Sequence, residues 1–409
     1  VTVWDAIAGQ DHAKGILAAA APGGSYLFTG PKGVGKSEAA RAFAASLVCP
    51  NGSEGAGGCG ACSTCDRVLR ELHPDVVVFK PEGFTYPVEA IREIVASAAM
   101  TPLEAARRVF IVDEADRIAE RSQNALLKAL EEPGPSVTWI LVASALAPFL
   151  PTILSRCRIV EFAPIAEENL RDLLQERLGL PAPAAAELVR MAGGEAGRAV
   201  RLATEEAYRN LRRFALETAA LGTVEPAEAL AAADRVFELG AEARDALAEK
   251  QSDEMEQLEA TIATQRGSGP ARKRLADRHK RELRRAEVET FTEFLAWAGF
   301  AFRDLAHLSQ GGDEAHLVNP DWAGELRRAS ANAPASRWLA LAQAALDGQQ
   351  AIYENANPGM AVESFLLRLT AAPPGGSGGV AAPSAEQLHS LEAAIPLRSV
   401  GSKITFPPE

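Results

Sequence analysis

The sequence predicts an α/β domain on a parallel sheet, followed by two all-helical domains. Three observations carry this. Residues 1 to about 163 alternate short apolar runs with helical stretches. The runs are continuously apolar rather than alternating, as in strands covered on both faces. Beyond Ile165 no such run recurs, and the abundant Ala, Leu, Glu and Arg favour helix. The expected strands are Tyr26–Thr29, Val76–Phe79, Val109–Val112, Val137–Ala143 and Ile159–Phe162. The expected domains are 1–163, a small helical domain at 164–207 and a larger one at 208–370. A Pro/Gly/Ser-rich segment, Ala371 to Ser384, leads into a tail to residue 409 that is expected to be disordered.

Composition narrows the function classes. A hydrophobic content of 47 % supports packed domains. The formal charge of −12, from 42 basic and 54 acidic residues, argues against coating nucleic acid by bulk attraction. Any DNA contact must come from a local patch or a partner. No run of about 18 apolar residues appears, so no membrane span is expected. The first residues lack signal-peptide character, so a cytoplasmic location is expected, with the five cysteines as thiols or metal ligands.

The sharpest motif is Gly30-Pro31-Lys32-Gly33-Val34-Gly35-Lys36-Ser37, between an apolar strand and the helix-forming Glu38–Ala44. Gly30, Gly33 and Gly35 let backbone N–H groups turn onto phosphates, and the helix N-terminus adds partial positive charge. Lys36 is expected to reach the β- and γ-phosphates of ATP, and Ser37 to ligate Mg2+. A second motif, Val109 to Asp116, is an apolar strand ending in carboxylates. Asp113 is expected to hold the magnesium through water, and Glu114 to polarise an attacking water. Ser144, after the next strand, reads either as a γ-phosphate sensor or as a turn residue.

Cys49, Cys59, Cys62 and Cys65 form a C-x9-C-x2-C-x2-C array with Gly57, Gly58 and Gly60 at its turns. Four thiolates so spaced can enclose a tetrahedral Zn2+, leaving no open position for catalysis. The alternatives are redox chemistry at Cys62 and Cys65, or simple buried thiols. Cys157 is isolated and reads as a packing residue.

Residues 242–259 are acidic, and the charge reverses from Arg272 to Arg285 after Gly267-Ser268-Gly269-Pro270. This region, about 242–288, reads as a charged helical hairpin. Its arms either neutralise each other as a solvated insertion or supply a basic arm for DNA.

Asn124 to Pro133, Leu150 to Cys157, His73-Pro74-Asp75 and Asn355-Ala356-Asn357-Pro358 resemble segments of bacterial DNA polymerase III clamp-loader subunits, AAA+ proteins, with the delta-prime type foremost. The similarity covers most of residues 1–205 with specific motifs and the rest only loosely. It implies an AAA+ P-loop domain, a helical lid at 164–207 and an all-α collar at 208–370. It also implies a hetero-pentamer with gamma/tau and delta subunits, acting on a sliding clamp and primed DNA. By spacing alone Arg156 reads as a surface ion pair; the resemblance implies an arginine finger acting on a neighbour's nucleotide. Arg198, opening a helix after Gly193-Gly194, would by the same resemblance contact the γ-phosphate, and Gln10 would line the adenine pocket. Clamp-loader ATPase subunits carry a zinc module where the cysteines fall. The intact phosphate loop departs from many delta-prime subunits, which leaves the gamma/tau motor or a non-hydrolysing AAA+ scaffold as alternatives. Polymerase activity is not expected, since no separate carboxylate constellation for nucleotidyl transfer is present.

Overall fold

The computed structural model describes residues 2–5, 7–20, 23–52, 57–81, 85–262, 269–354 and 356–370. The tail from 371, Asn355 and the Gly267-Ser268 turn lie outside the described residues. The chain forms two compact units, one of residues 1–170 with 251–281, the other of residues 171–250 with 282 onward.

The first unit carries five strands: β1 (Gly24–Thr29), β2 (Val76–Phe79), β3 (Arg108–Val112), β4 (Val137–Val142) and β5 (Arg158–Glu161). They lie within a residue or two of the positions read from the sequence. All pairings are parallel, in the order β2-β3-β4-β1-β5. Interleaved are α1 (Asp11–Ala18), α2 (Lys36–Val48), α3 (Ser63–Leu69), α4 (Val88–Ala98), α5 (Glu120–Glu131) and α6 (Pro151–Leu154). The apolar runs are explained by burial on both faces: every residue of β3 and β4 is buried. On one side of the sheet Phe110 and Trp139 stack with centroids 4.8 Å apart, in a cluster with Leu27, Ile91, Leu126 and Ile153. With β4 between β1 and β3, the loops leaving the carboxyl ends of these strands meet at one edge, where parallel α/β sheets bind ligands.

Helix α7 (Glu167–Leu178) begins at the end of the first unit's main segment. The second unit holds α8 (Ala182–Met191), α9 (Ala196–Thr204), α10 (Glu206–Leu221), α13 (Ala323–Ser330), α14 (Ala335–Tyr353) and α15 (Pro358–Arg368). Between α10 and α13 run the long helices α11 (Pro226–Ile262) and α12 (Gly269–Ser309). No strand occurs among the described residues after β5, and no described helix is long and apolar enough to cross a membrane. Asn357 caps α15, its side chain accepting from the Met360 N–H at 3.1 Å, with Pro358 at the first helical position.

The structure adds a packed end to the charged hairpin. Residues 251–262 of α11 and 269–281 of α12 belong to the first compact unit, and the remainder of both helices to the second. The arms do neutralise each other in part: Arg272 pairs with Glu259 at 3.0 Å, and Arg278 pairs with Glu254. Yet Leu258 and Leu275 are buried, in a cluster with Leu72.

Candidate functional site

The phosphate loop leaves β1 through three glycines with positive φ: Gly30 (144°), Gly33 (72°) and Gly35 (89°). Gly30 is further constrained by a neighbour, since a Cβ there would lie 2.2 Å from the Phe162 carbonyl oxygen. That close approach lets the loop fold back over the exit of β5. Gly35 then caps α2, leaving the helix's first N–H groups directed at the loop.

Lys36 is 7 % exposed, and its Nζ donates to the carbonyls of Gly30 (2.6 Å) and Pro31. The ammonium thus rests on the loop's own backbone. Ser37 Oγ donates to Asp113 Oδ1 at 2.9 Å, joining the start of α2 to the end of β3. Asp113 is 8 % exposed, and the same oxygen accepts from the Glu114 N–H at 3.0 Å. A hydroxyl and a carboxylate this close form the hard oxygen donor set that Mg2+ prefers. Bound there beside a nucleotide, the ion would neutralise phosphate charge.

Glu114 adopts a left-handed conformation (φ 50°, ψ 43°), and its carboxylate lies 2.8 Å from Arg117 Nε. Left-handed backbone costs a non-glycine residue free energy and recurs at functional sites. Asp116 accepts from the Ser144 N–H at 2.8 Å, fixing the loop after β4 beside the end of β3. Gln10, also left-handed at φ 63°, makes a reciprocal pair with Ala163. Its Nε2 donates to the Ala163 carbonyl (2.7 Å) and its Oε1 accepts the Ala163 N–H (3.1 Å). A weaker bond of 3.4 Å reaches the Val34 carbonyl in the loop. The fold therefore brings Gly30, Gly33, Gly35, Lys36, Ser37, Asp113, Glu114, Ser144 and Gln10 to one edge of the sheet.

Sequence reasoning missed Tyr86, a buried residue whose hydroxyl lies between the carbonyls of Asp113 (2.6 Å) and Phe79 (2.9 Å). It pins the end of β3, and no local pattern announces it. Gln123 was also missed. It is 1 % exposed, donates to the carbonyls of Ile118 and Pro148, and accepts from the Leu150 N–H at 2.9 Å. It thereby ties α5 to the segment that carries Arg156.

Arg156 lies between α6 and β5. Its Nε and Nη2 both reach Glu131 Oε2, at 3.0 and 2.9 Å, and Nη1 donates to the Thr152 carbonyl. The side chain is 29 % exposed, held by an acidic partner yet open to solvent. Arg198, at the start of α9 in the second unit, is engaged differently. Its guanidinium pairs with Glu293 (3.2 Å) and Glu195 (3.5 Å) and lies 5.3 Å from the ring centroids of both Trp297 and Phe300. Tyr208 also bonds Glu293. Glu195, Glu293 and the two rings together orient the Arg198 guanidinium at the start of α9.

The cysteines meet as the spacing suggested. The Sγ atoms of Cys49, Cys59, Cys62 and Cys65 all lie within 4.8 Å of one another, with Cys49 at 3.7 Å from Cys59 and 3.8 Å from Cys62. A tetrahedral zinc with Zn–S bonds of about 2.3 Å requires sulfurs about 3.8 Å apart, whereas a disulfide requires about 2.0 Å. The donor set and spacing fit a zinc ion. The Ala61 and Cys62 N–H groups lower the Cys59 thiol to about 6, while burial raises Cys65. Cys157 is pushed up to about 12 by burial, consistent with a packing role.

A parallel sheet in the order β2-β3-β4-β1-β5, with a GxxxxGKS loop after β1 and carboxylates after β3, defines a P-loop α/β domain of the AAA+ class. Residues 11–166 match the family described as "DNA polymerase III, delta subunit". The DNA polymerase III subunit delta' of Bacillus subtilis is 32 % identical over 153 residues, 37 % of this chain and 46 % of that protein. The delta' subunit of Pseudomonas aeruginosa is 35 % identical over 182 residues, 44 % of this chain and 55 % of that protein. The gamma/tau subunit of Mycobacterium bovis is 32 % identical over 173 residues, 41 % of this chain and 30 % of that protein. The matched segment is thus similar to the delta' and gamma/tau subunits of bacterial DNA polymerase III. The match spans about half the length of these delta' relatives.

Proposed function

We propose that this chain is the delta-prime subunit of a DNA polymerase III clamp loader. It binds ATP with Mg2+ at the phosphate loop and supplies Arg156 to the nucleotide of a neighbouring gamma/tau subunit. Its partners would be gamma/tau and delta in a hetero-pentamer that loads a sliding clamp on primed DNA, in the cytoplasm. The observation that carries the reading is Arg156, solvent-accessible and oriented by Glu131 in the segment that resembles the family's finger. A planar guanidinium held by one carboxylate is preorganised to meet a phosphoryl group. In this chain's own site, Lys36 would transfer from the loop carbonyls to the phosphates, and Gln10 and Ser144 would flank the nucleotide. The zinc module would be structural.

Two substitutions separate the roles. Arg156→Ala should lower ATP hydrolysis at the neighbouring gamma/tau site by about 10³-fold or more, and so impair turnover by the reconstituted loader, with nucleotide binding by the isolated chain unchanged. Normal loader turnover would remove the finger assignment. Lys36→Ala should abolish nucleotide binding by the isolated chain, and retained affinity would discredit the phosphate-loop assignment.

A second reading, the gamma/tau motor, is favoured by the intact loop with Ser37 and Asp113 already joined and by the four-cysteine cluster. Hydrolysis by the purified chain, alone and with clamp and primed DNA, discriminates the two. Binding with little turnover supports delta-prime or a non-hydrolysing scaffold, and turnover stimulated by clamp and DNA supports the motor.

A further inference from the structure

Helix α3 has only seven residues, too few to hold a helix in water without outside support. Its N-terminal end is set by the cysteine cluster: Cys62 is its N-cap, the sulfur accepting from the Cys65 N–H at 3.4 Å. Its C-terminal end is set by the hairpin. Arg278 Nη1 donates to the carbonyl of Arg70, the C-cap, at 2.7 Å, placing a cation where the helix dipole is negative. The Arg70 guanidinium lies 3.7 Å from one Glu254 oxygen, while the other takes Arg278 and His279 Nε2 (3.0 Å). Burial raises the pKa of Glu254, but Arg278 and His279 outweigh it and hold the carboxyl below its usual range. Two residues past the cap, Leu72 is buried against Leu258 and Leu275, with Met255 alongside.

One short helix therefore has two independent anchors, each holding in place the segment that the other needs. We propose that metal binding by Cys49, Cys59, Cys62 and Cys65 is coupled to docking of residues 251–260 of α11 and 272–281 of α12 on the end of α3. The proposal rests on the reading of the four cysteines as a zinc site. The hairpin's charge pattern then has a use within the chain: Glu254 on the acidic arm and Arg278 on the basic arm form the latch. Coupling is reciprocal by thermodynamic necessity, so loss of zinc loosens the hairpin, and loss of the latch weakens zinc.

The test uses the full chain. Zinc content is measured first, with one ion per chain expected; no bound zinc would overturn the metal reading and the coupling together. Amide exchange is then followed with and without a chelator. Peptides covering 251–260 and 272–281 should exchange faster after stripping, and those of α14 should not change. Zinc affinity is measured by competition with a chromophoric chelator. Arg278→Ala and Leu275→Ala should each weaken it by about five- to a hundred-fold. Arg272→Ala, which removes only the exposed pair with Glu259, should leave it unchanged. Stoichiometric zinc with unaltered affinity in both latch variants, and hairpin exchange indifferent to metal, would overturn the coupling while leaving the zinc site standing.

Discussion

Gly30→Ala tests the geometry of the phosphate loop at its tightest point. The added methyl would sit 2.2 Å from the Phe162 carbonyl oxygen and 3.1 Å from the Phe162 Cβ, and the backbone holds φ at 144°. Phe162 cannot easily retreat. It is 3 % exposed, its ring centroid is 5.3 Å from that of Phe28, and its N–H is bonded to the Thr29 carbonyl at 2.8 Å. Backbone strain costs about 1–3 kcal/mol, and overpacking costs about 1–3 kcal/mol. Together they should destabilise the P-loop domain by about 2–6 kcal/mol. At about 2–4 °C per kcal/mol, the melting temperature should fall by at least about 4 °C. The proposed ATP binding should weaken as well, because the displaced loop carries the N–H groups that would meet phosphate. Gly15→Ala is the matched control. Gly15 lies in α1 with nothing within 4 Å of its added Cβ, so the same chemical change should stabilise by up to about 1 kcal/mol. The assay is thermal unfolding with and without ATP, beside titration of a fluorescent nucleotide. Equal melting temperatures and affinities for the two variants would refute the argument.

Other expectations follow from buried charge and thiol chemistry. Asp75 is fully buried, and burial raises its pKa, but the N–H groups of Ala105, Leu103 and Glu104 more than compensate and lower it. A lowered folded-state pKa gives stability that is present above the unfolded value of about 3.9 and is lost as pH falls through the folded value. Asp75→Asn should therefore cost about 1–3 kcal/mol at pH 7. Its deficit against the parent should shrink in denaturant titrations below about pH 4; a deficit independent of pH would contradict the assignment. In the metal-stripped chain at pH 7, Cys59, at about 6, is mostly thiolate and Cys157, at about 12, hardly at all. Iodoacetamide should thus modify Cys59 first, and zinc should protect it; preferential labelling of Cys157 by mass spectrometry would be inconsistent with this.

Much of the first unit was legible because its signals are local. Continuous apolar runs forced strands buried on both faces, and the glycine spacing forced a loop of positive φ. The four cysteines, within seventeen residues, had little choice but to meet. Lys36, Ser37 and Asp113 were readable because a phosphate loop and an acidic strand end share one edge in any parallel sheet that places a single strand between them. Tyr86 and Gln123 were not readable. Each acts through backbone carbonyls or N–H groups brought near by the fold, and a backbone partner leaves no trace in residue identity.

The same distinction separates the two arginines and the hairpin. The chain order of amino acids determined that Arg156 would follow a short apolar helix and precede the last strand, and that position survives in the structure. It did not determine that Glu131, 25 residues away, would hold the guanidinium. Nor did it determine that Arg198 would find Glu293, 95 residues away, and two aromatic faces. The charge reversal along α11 and α12 was visible as a pattern, but a charged arm can be solvated or docked at similar cost in water. Only tertiary structure decided between them. It supplied Leu72 and the Arg70 carbonyl as a surface for Leu275 and Arg278, and burial of apolar area there tips a balance that local charge leaves nearly even.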